Sequence, residues 1–294
     1  MDYQISHRTL YTYDSPVTLA HYIARLEPRP LPTQSCPWHE IIIRPRPDCR
    51  ADGRTDAFGN TGTYFEIEGK HRELEVIARS FVRLTPRPLP EPSATAAWEV
   101  IRDAARASEW NSDTSAGEFI WPSPLVPLSA EFAAYAAPSF PPGRPVLEGV
   151  CALNSRIFKD FKFDPTATSV ATPVAKSFEQ RRGVCQDFAH VMIACLRSLG
   201  LPARYVSGYL ETEPPPGQEK LTGADASHAW LSVWCGEPHG WIDADPTNNL
   251  LPAGRHITVS WGRDFADVSP LTGVSLGSGR QTLTVGVDVT VVEE

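Results

Sequence analysis

The stretch GVCQDFAHVMIACLRSLG, Gly183 to Gly200, together with the runs that follow it, constrains the fold of this 294-residue chain more than any other segment. Val184, Phe188, Met192, Cys195 and Leu199 recur at helical spacing, and Gly200 with Pro202 ends the pattern. ARYVSGYL, SHAWLSVW and GWIDADPT then read as strands, being rich in aromatic and β-branched residues. The order is helix first, then antiparallel strands.

Upstream, YQISHRTLYTY, HYIARLEP, HEIIIRP, GTYFEIEG and ELEVIARSFVRL are short strands between Pro/Gly breaks, which predicts an antiparallel β-sandwich. DAFGN between extended runs reads as a tight turn with no further role. The proline-rich TPRPLPEP, Thr85 to Pro92, disfavours helix and central strand alike and marks the domain boundary. The expected organisation is a sandwich over residues 1–86 and a catalytic region over 93–294. Within the latter, 94–140 is helical, the core spans about 146–250, and 255–292 supply C-terminal strands. Helices are expected from Ala94 to Ser108, from Glu131 to Ala137 and from Val146 to Phe161. A further one opens at Thr172-Pro173, capped by the threonine, and stops near Gly183.

With 27 basic and 35 acidic residues, a net charge of -8 and no long block of either sign, the chain shows no nucleic-acid stripe or polybasic membrane anchor. No apolar run approaches the roughly 18 residues that cross a bilayer, and MDYQISHRTLYTYDSP has no leader-like pattern, so a cytoplasmic location is expected. The six cysteines lack CxxC or Cys/His zinc spacing and are expected to be thiols, most of them buried. No cofactor or metal is implied.

Cys185 stands apart because it opens the helix, where the positive end of the dipole and unpaired N–H groups favour thiolate. Cys195, further along the apolar stripe, is a small hydrophobe. A thiol nucleophile needs a base, and the base a group that orients it. His190 projects in a different direction and reads as packed; His239, in CGEPHG, reads as a loop residue. His228 shares a strand face with Trp230, Ser232 and Trp234, while Trp241, Asp243 and Asp245 share a face of the next strand. A turn centred near Glu237 or Pro238 brings Asp245, rather than Asp243, toward His228.

The run GVCQDFAHVMIACLRSLGLPARYVSGYL, with SHAW and GWIDADPTN after it, resembles the bacterial branch of the transglutaminase-like superfamily, whose core is papain-like. YQISHRTLYTYDSPV, DAFGN and GRDFADVSPLTG extend the likeness over nearly the whole chain; Ala94 to Phe140 carries no matching motif. The resemblance implies an α+β protein, with a central helix packed on an antiparallel sheet behind an N-terminal β-sandwich. It also implies cysteine-dependent acyl transfer at an amide bond. Its Cys, H-A-W His and Asp-Pro-Thr Asp fall on Cys185, His228 and Asp245, the residues the spacing selects.

The expected substrate is a peptide, protein or small amide, and hydrolysis is preferred to protein cross-linking because no acidic calcium loop is recognisable. Two competitors stand beside it: a protein-binding module that has lost chemistry, and a metal hydrolase using His190, His228 and Asp243 or Asp245, disfavoured by the lack of HExxH. Asp187 reads as a helix-start acid, with a polar contact near the site as the alternative. Arg204, Tyr209, Arg263 and Asp264 are open between cleft wall and structural pair, as are Trp230 and Trp241 between cleft wall and core.

Overall fold

The computed structural model describes residues 1–107, 116–211, 227–277 and 279–292. Six strands come first: β1 (Asp2–Val17), β2 (Leu19–Ala24), β3 (Gln34–Arg44), β4 (Cys49–Thr55), β5 (Thr61–Ile67) and β6 (His71–Leu84). After the proline-rich break come α1 (Trp98–Ala107), α2 (Ala130–Ala136), α3 (Val146–Asp160), β7 (Lys162–Phe163), α4 (Val174–Gln180), β8 (Arg182–Gly183) and α5 (Cys185–Ser198). The strands β9 (Ala203–Leu210), β10 (Ser227–Trp234), β11 (Trp241–Ala244) and β12 (His256–Gly262) follow, then α6 (Phe265–Val268), β13 (Leu271–Leu276) and β14 (Gln281–Val292).

Alternation explains the sandwich. In β1, Tyr3, Ile5 and His7 are buried while Gln4 and Arg8 face water, the period-two pattern of a half-covered sheet. The sheets have strand orders β14-β1-β6-β3 and β13-β2-β5-β4. Residues 255–292, grouped with the catalytic region on sequence, therefore divide between two sheets. β12 joins the sheet of β9, β10 and β11, whereas β13 pairs with β2 and β14 pairs with β1 from Asp2 to Tyr13. Local pattern identifies a strand but not its partner, and here the partners are more than 240 residues away in sequence.

The sheet of the second region has the order β11-β10-β9-β12, and α5 packs on one of its faces. That packing follows from parity: Ala229, Leu231 and Val233 of β10 join Phe188, Val191, Met192 and Cys195 of α5 in one core. On the other face, Tyr209, Ile257 and Val259 meet Tyr3, Ile5, Val287 and Val289 of the sandwich.

The edge strand β12 is closed by two side-chain amides. Gln34 donates to Thr258 O at 2.7 Å and accepts from Thr258 N at 2.8 Å; Asn60 does the same for Trp261, at 2.8 and 2.9 Å. The DAFGN turn is thus more than a turn. Asp56 Oδ1 accepts from the backbone of Phe58 and Asn60, which aims the Asn60 amide at the strand.

Helix ends differ from expectation in small ways. α1 begins at Trp98 after a single 3-10 turn at Pro92–Ala94. α4 begins at Val174 with Pro173 at the cap, because the Thr172 hydroxyl instead accepts from Ser169 N. It stops at Gln180, where Arg181 takes a left-handed conformation with φ 53°. Among the described residues no helix is long and apolar enough to cross a membrane. The cysteines are free; Cys195 and Cys235 are buried, Cys49 is exposed, and Cys36, Cys151 and Cys185 lie between.

Candidate active site

The N-terminus of α5 is fastened by Asp187, which is 4% exposed. Its Oδ2 accepts from Val184 N at 2.8 Å and Thr168 Oγ1 at 2.6 Å, and its Oδ1 from Ser177 Oγ at 2.7 Å. The acid thus serves the helix start and also ties α4 and the 164–173 loop to it. Gly183 is required by close approach: a Cβ there would lie 2.3 Å from Asp187 Oδ2. Asp187→Ala removes the cap and leaves two hydroxyls and an N–H without their acceptor. We expect a loss of about 2–4 kcal/mol in unfolding free energy, read as a lowered urea midpoint at unchanged slope.

The β10–β11 hairpin sets the partner. Trp234 pairs with Trp241 and Ser232 with Asp243, a register that centres the turn between Glu237 and Pro238. It carries Asp245, just past β11, to the beginning of β10. His228 Nε2 lies 2.7 Å from Asp245 Oδ2. Cys185 lies close enough to His228 to act on its titration, and with Nε2 committed to the carboxylate, Nδ1 is the nitrogen left for sulfur. Cys185, His228 and Asp245 are thereby brought together. Asp243 is not part of this group: it accepts from Trp230 Nε1 at 3.0 Å and from the Ser232 hydroxyl, fixing the fully buried Trp230 beside His228.

Asp245 is fully buried and heavily solvated by protein donors. Thr247 N and Asn248 N donate to Oδ1 at 2.9 and 3.2 Å; Asn248 Nδ2 and His256 Nε2 donate to Oδ2 at 2.7 and 2.9 Å, beside His228. Burial alone would raise its pKa, but the bonds from His228, His256 and Asn248 hold it far below the carboxylate range. Burial also opposes a charged His228; the hydrogen bonds and negative charge of Asp245 and Cys185 outweigh it and lift that histidine to about 9. The group is built to hold His228 in its charged form against the Asp245 carboxylate.

His256 and Asn248 have no counterpart in the sequence reading. The one signal for His256 was its position opening HITVSWG, as His228 opens its own run. Trp230 stands edge-on to His256 with ring centroids 4.9 Å apart, so β9's Gly208 must lie beneath it: a Cβ there would come within 2.6 Å of that indole and 2.0 Å of Ile257 O.

Of the other residues, His190 is buried, accepts from Phe265 N at 3.2 Å, and is pushed down to about 4 by desolvation. It is packed, and the set His190, His228 and Asp243 or Asp245 is not assembled. The ligand atoms that do lie within 4.8 Å of one another belong to His228, Asp245 and His256, and the hydrogen bonds to Asp245 account for their convergence. His239 lies in a turn. Tyr209 is structural, its hydroxyl 2.9 Å from His7 Nδ1 across the domain interface. Arg263 pairs with Asp267 at 2.9 Å, while Asp264 caps α6 and accepts from Leu125 N.

Residues 3–83 match the bacterial transglutaminase-like N-terminal region, and residues 134–246, which carry the Cys, His and Asp, match the transglutaminase-like superfamily. An uncharacterized protein of Mycobacterium tuberculosis is 40% identical over 98% of this chain and 92% of its own length. The chain belongs to the transglutaminase-like superfamily. Another transglutaminase-like relative, the protein-glutamine gamma-glutamyltransferase of Pseudomonas aeruginosa, is 33% identical over 109 residues, which are 34% of this chain and 16% of that one. In fold, the chain superimposes with a TM-score of 0.79 on the crystal structure of a proposed cysteine protease from Cytophaga hutchinsonii, at 20% identity, over 100% of this chain and 91% of that one. Transglutaminase-like membership supports cysteine-dependent hydrolase or transferase chemistry in general.

Proposed function

We propose that Cys185, His228 and Asp245 form a catalytic triad that cleaves an amide or peptide bond through a thioester, with water as the final acceptor. The observation that carries the reading is the 2.7 Å bond from His228 to a fully buried, multiply held carboxylate, with the thiol at the first residue of α5 close enough to act on the same imidazole. With its proton already held by His228, Cys185 Sγ adds to the carbonyl carbon. The Cys185 backbone N–H, in the first turn of α5, receives the developing oxyanion. Collapse breaks the C–N bond, and His228 returns the proton to the departing amine. Water, deprotonated by His228, then attacks the thioester and releases acid and thiol. Asp245 holds the ring and stabilises its charged form.

A γ-glutamyl donor peptide incubated with a labelled primary amine tests the acceptor. Free carboxylic acid should dominate; stable amine incorporation without competing hydrolysis would assign the protein to cross-linking instead. That second reading is favoured by the likeness of 109 residues of this chain to a gamma-glutamyltransferase.

The pH dependence follows from His228. Its pKa is raised from 6.5 to about 9, so the stabilisation it brings is complete below about 6.5 and is lost as pH rises through about 9. The acid that returns a proton to the amine disappears over the same window. The alkaline limb of kcat/KM is therefore expected near pH 9, together with a falling Tm. His256→Leu removes one donor from Asp245, strengthens its hold on His228, and should move that limb upward, whereas His256→Gln, which keeps a donor, should leave it closer to the parent.

A further inference from the structure

Between the outer face of the β9–β12 sheet and the sandwich with its linker lies a cavity of about 490 Å³, within the range of small-molecule sites. Its walls include His256 but neither Cys185 nor His228, so it opens behind the reactive group rather than into it. Leu31, Leu84, Leu89 and Val206 are part of its apolar lining, and Arg204, which shares a face of β9 with Val206, is among its polar groups.

Arg204 is held in an unusual way. Its guanidinium carbon lies 3.6 Å from the Trp261 ring centroid and 4.3 Å from that of Trp241, while Arg29 lies 3.6 Å from Trp261 as well. Two guanidiniums cannot share one indole face at that distance, so Arg29 and Arg204 sandwich Trp261. Indole faces favour cations but supply no hydrogen-bond acceptor in the guanidinium plane. Arg204 Nε is shielded from solvent and has no hydrogen-bond partner among the described residues. The nearby Asp243 spends one oxygen on Trp230 and the other on Ser232. The contrast is Arg197, whose guanidinium donates to the carbonyls of Ala203, Trp121 and Arg263.

We propose that this cavity is a binding site for a small carboxylate with an apolar body, its carboxylate gripped by Arg204 and its hydrocarbon part laid against Leu31, Leu84 and Leu89. A planar fork stacked between two rings is pre-organised for a carboxylate in its plane, and a desolvated cation without a full set of acceptors gains most from one. Burial pushes Arg204 down to about 9 and Arg29 to about 10, the direction a bound anion would reverse.

Phenylacetate and its neutral isostere phenylacetamide separate charge from shape. Calorimetric titration of the full chain should show saturable one-to-one binding of phenylacetate and none of the amide. Arg204→Gln should weaken binding at least about tenfold. Because that change also removes a stacking partner, Ala253→Trp is the companion: this exposed rim residue leaves the stack untouched and fills the mouth, and should abolish binding. Equal binding of acid and amide, parent-like binding by folded Arg204→Gln or Ala253→Trp, or no saturation up to about 10 mM phenylacetate would each overturn the proposal. The readout is binding alone, so its outcome is independent of acylation by Cys185.

Discussion

Cys185→Ala is expected to abolish the acylation burst with an activated ester or amide and to lower kcat/KM on the order of 10⁴-fold or more. The size follows from how much depends on one sulfur. In the proposed mechanism it is the nucleophile, and it also helps to lift the His228 pKa. Without it, the remaining donors polarise a carbonyl with nothing to attack it. The control lies in the fold: Cys185 touches the main core only as a partly buried neighbour, so the alanine variant should unfold near the parent's midpoint. An undiminished burst in this variant would remove Cys185 from the mechanism.

Asp245→Asn should cost about 10³–10⁴-fold in kcat, with less effect on substrate binding. An amide in place of the carboxylate faces donors from His228, His256, Asn248 and the backbone of Thr247. Its own NH₂ must meet one of them or turn a ring over. His228 then either loses its bond or presents the wrong tautomer to Cys185. The loss of negative charge also lowers the His228 pKa, so the alkaline limb should retreat from about 9 toward neutral pH. A variant that retained both rate and alkaline limb would show Asp245 to be structural.

What could be read from the sequence depended on the range of the interaction. The α5 boundaries, the hairpin register and the choice of Asp245 over Asp243 follow from local periodicity and a turn of known centre. Asp187's role at the helix start was legible for the same reason, its main contacts being with its own and adjoining elements. His256 was not, because what makes it matter is a sheet order, β11-β10-β9-β12, in which a strand from beyond Asp245 returns on the far side of β9. Asn60 and Gln34 are a second case. Each looks like an ordinary loop or strand polar residue, and its use becomes visible only when the backbone of β12 lies 2.7–2.9 Å away.

The pairing of β14 with β1, and of β13 with β2, has a consequence for the order in which the chain can assemble. The sandwich needs strands from both sides of the helix-and-sheet core, so during synthesis β1 and β2 wait with open edges while the 246 residues between Ala24 and Leu271 emerge. The core, whose helix and β9–β11 hairpins are closer neighbours in sequence, is positioned to collapse first. Its edge strand β12 then acquires the Gln34 and Asn60 clamps from a frame still under construction. The protein is thus built as an enclosed part within an enclosing one, with the frame completed only once β14 has left the ribosome. A thiol placed at a helix start early in synthesis would meet its fully held partner, Asp245 with His256 anchored beside it, only as that frame closes.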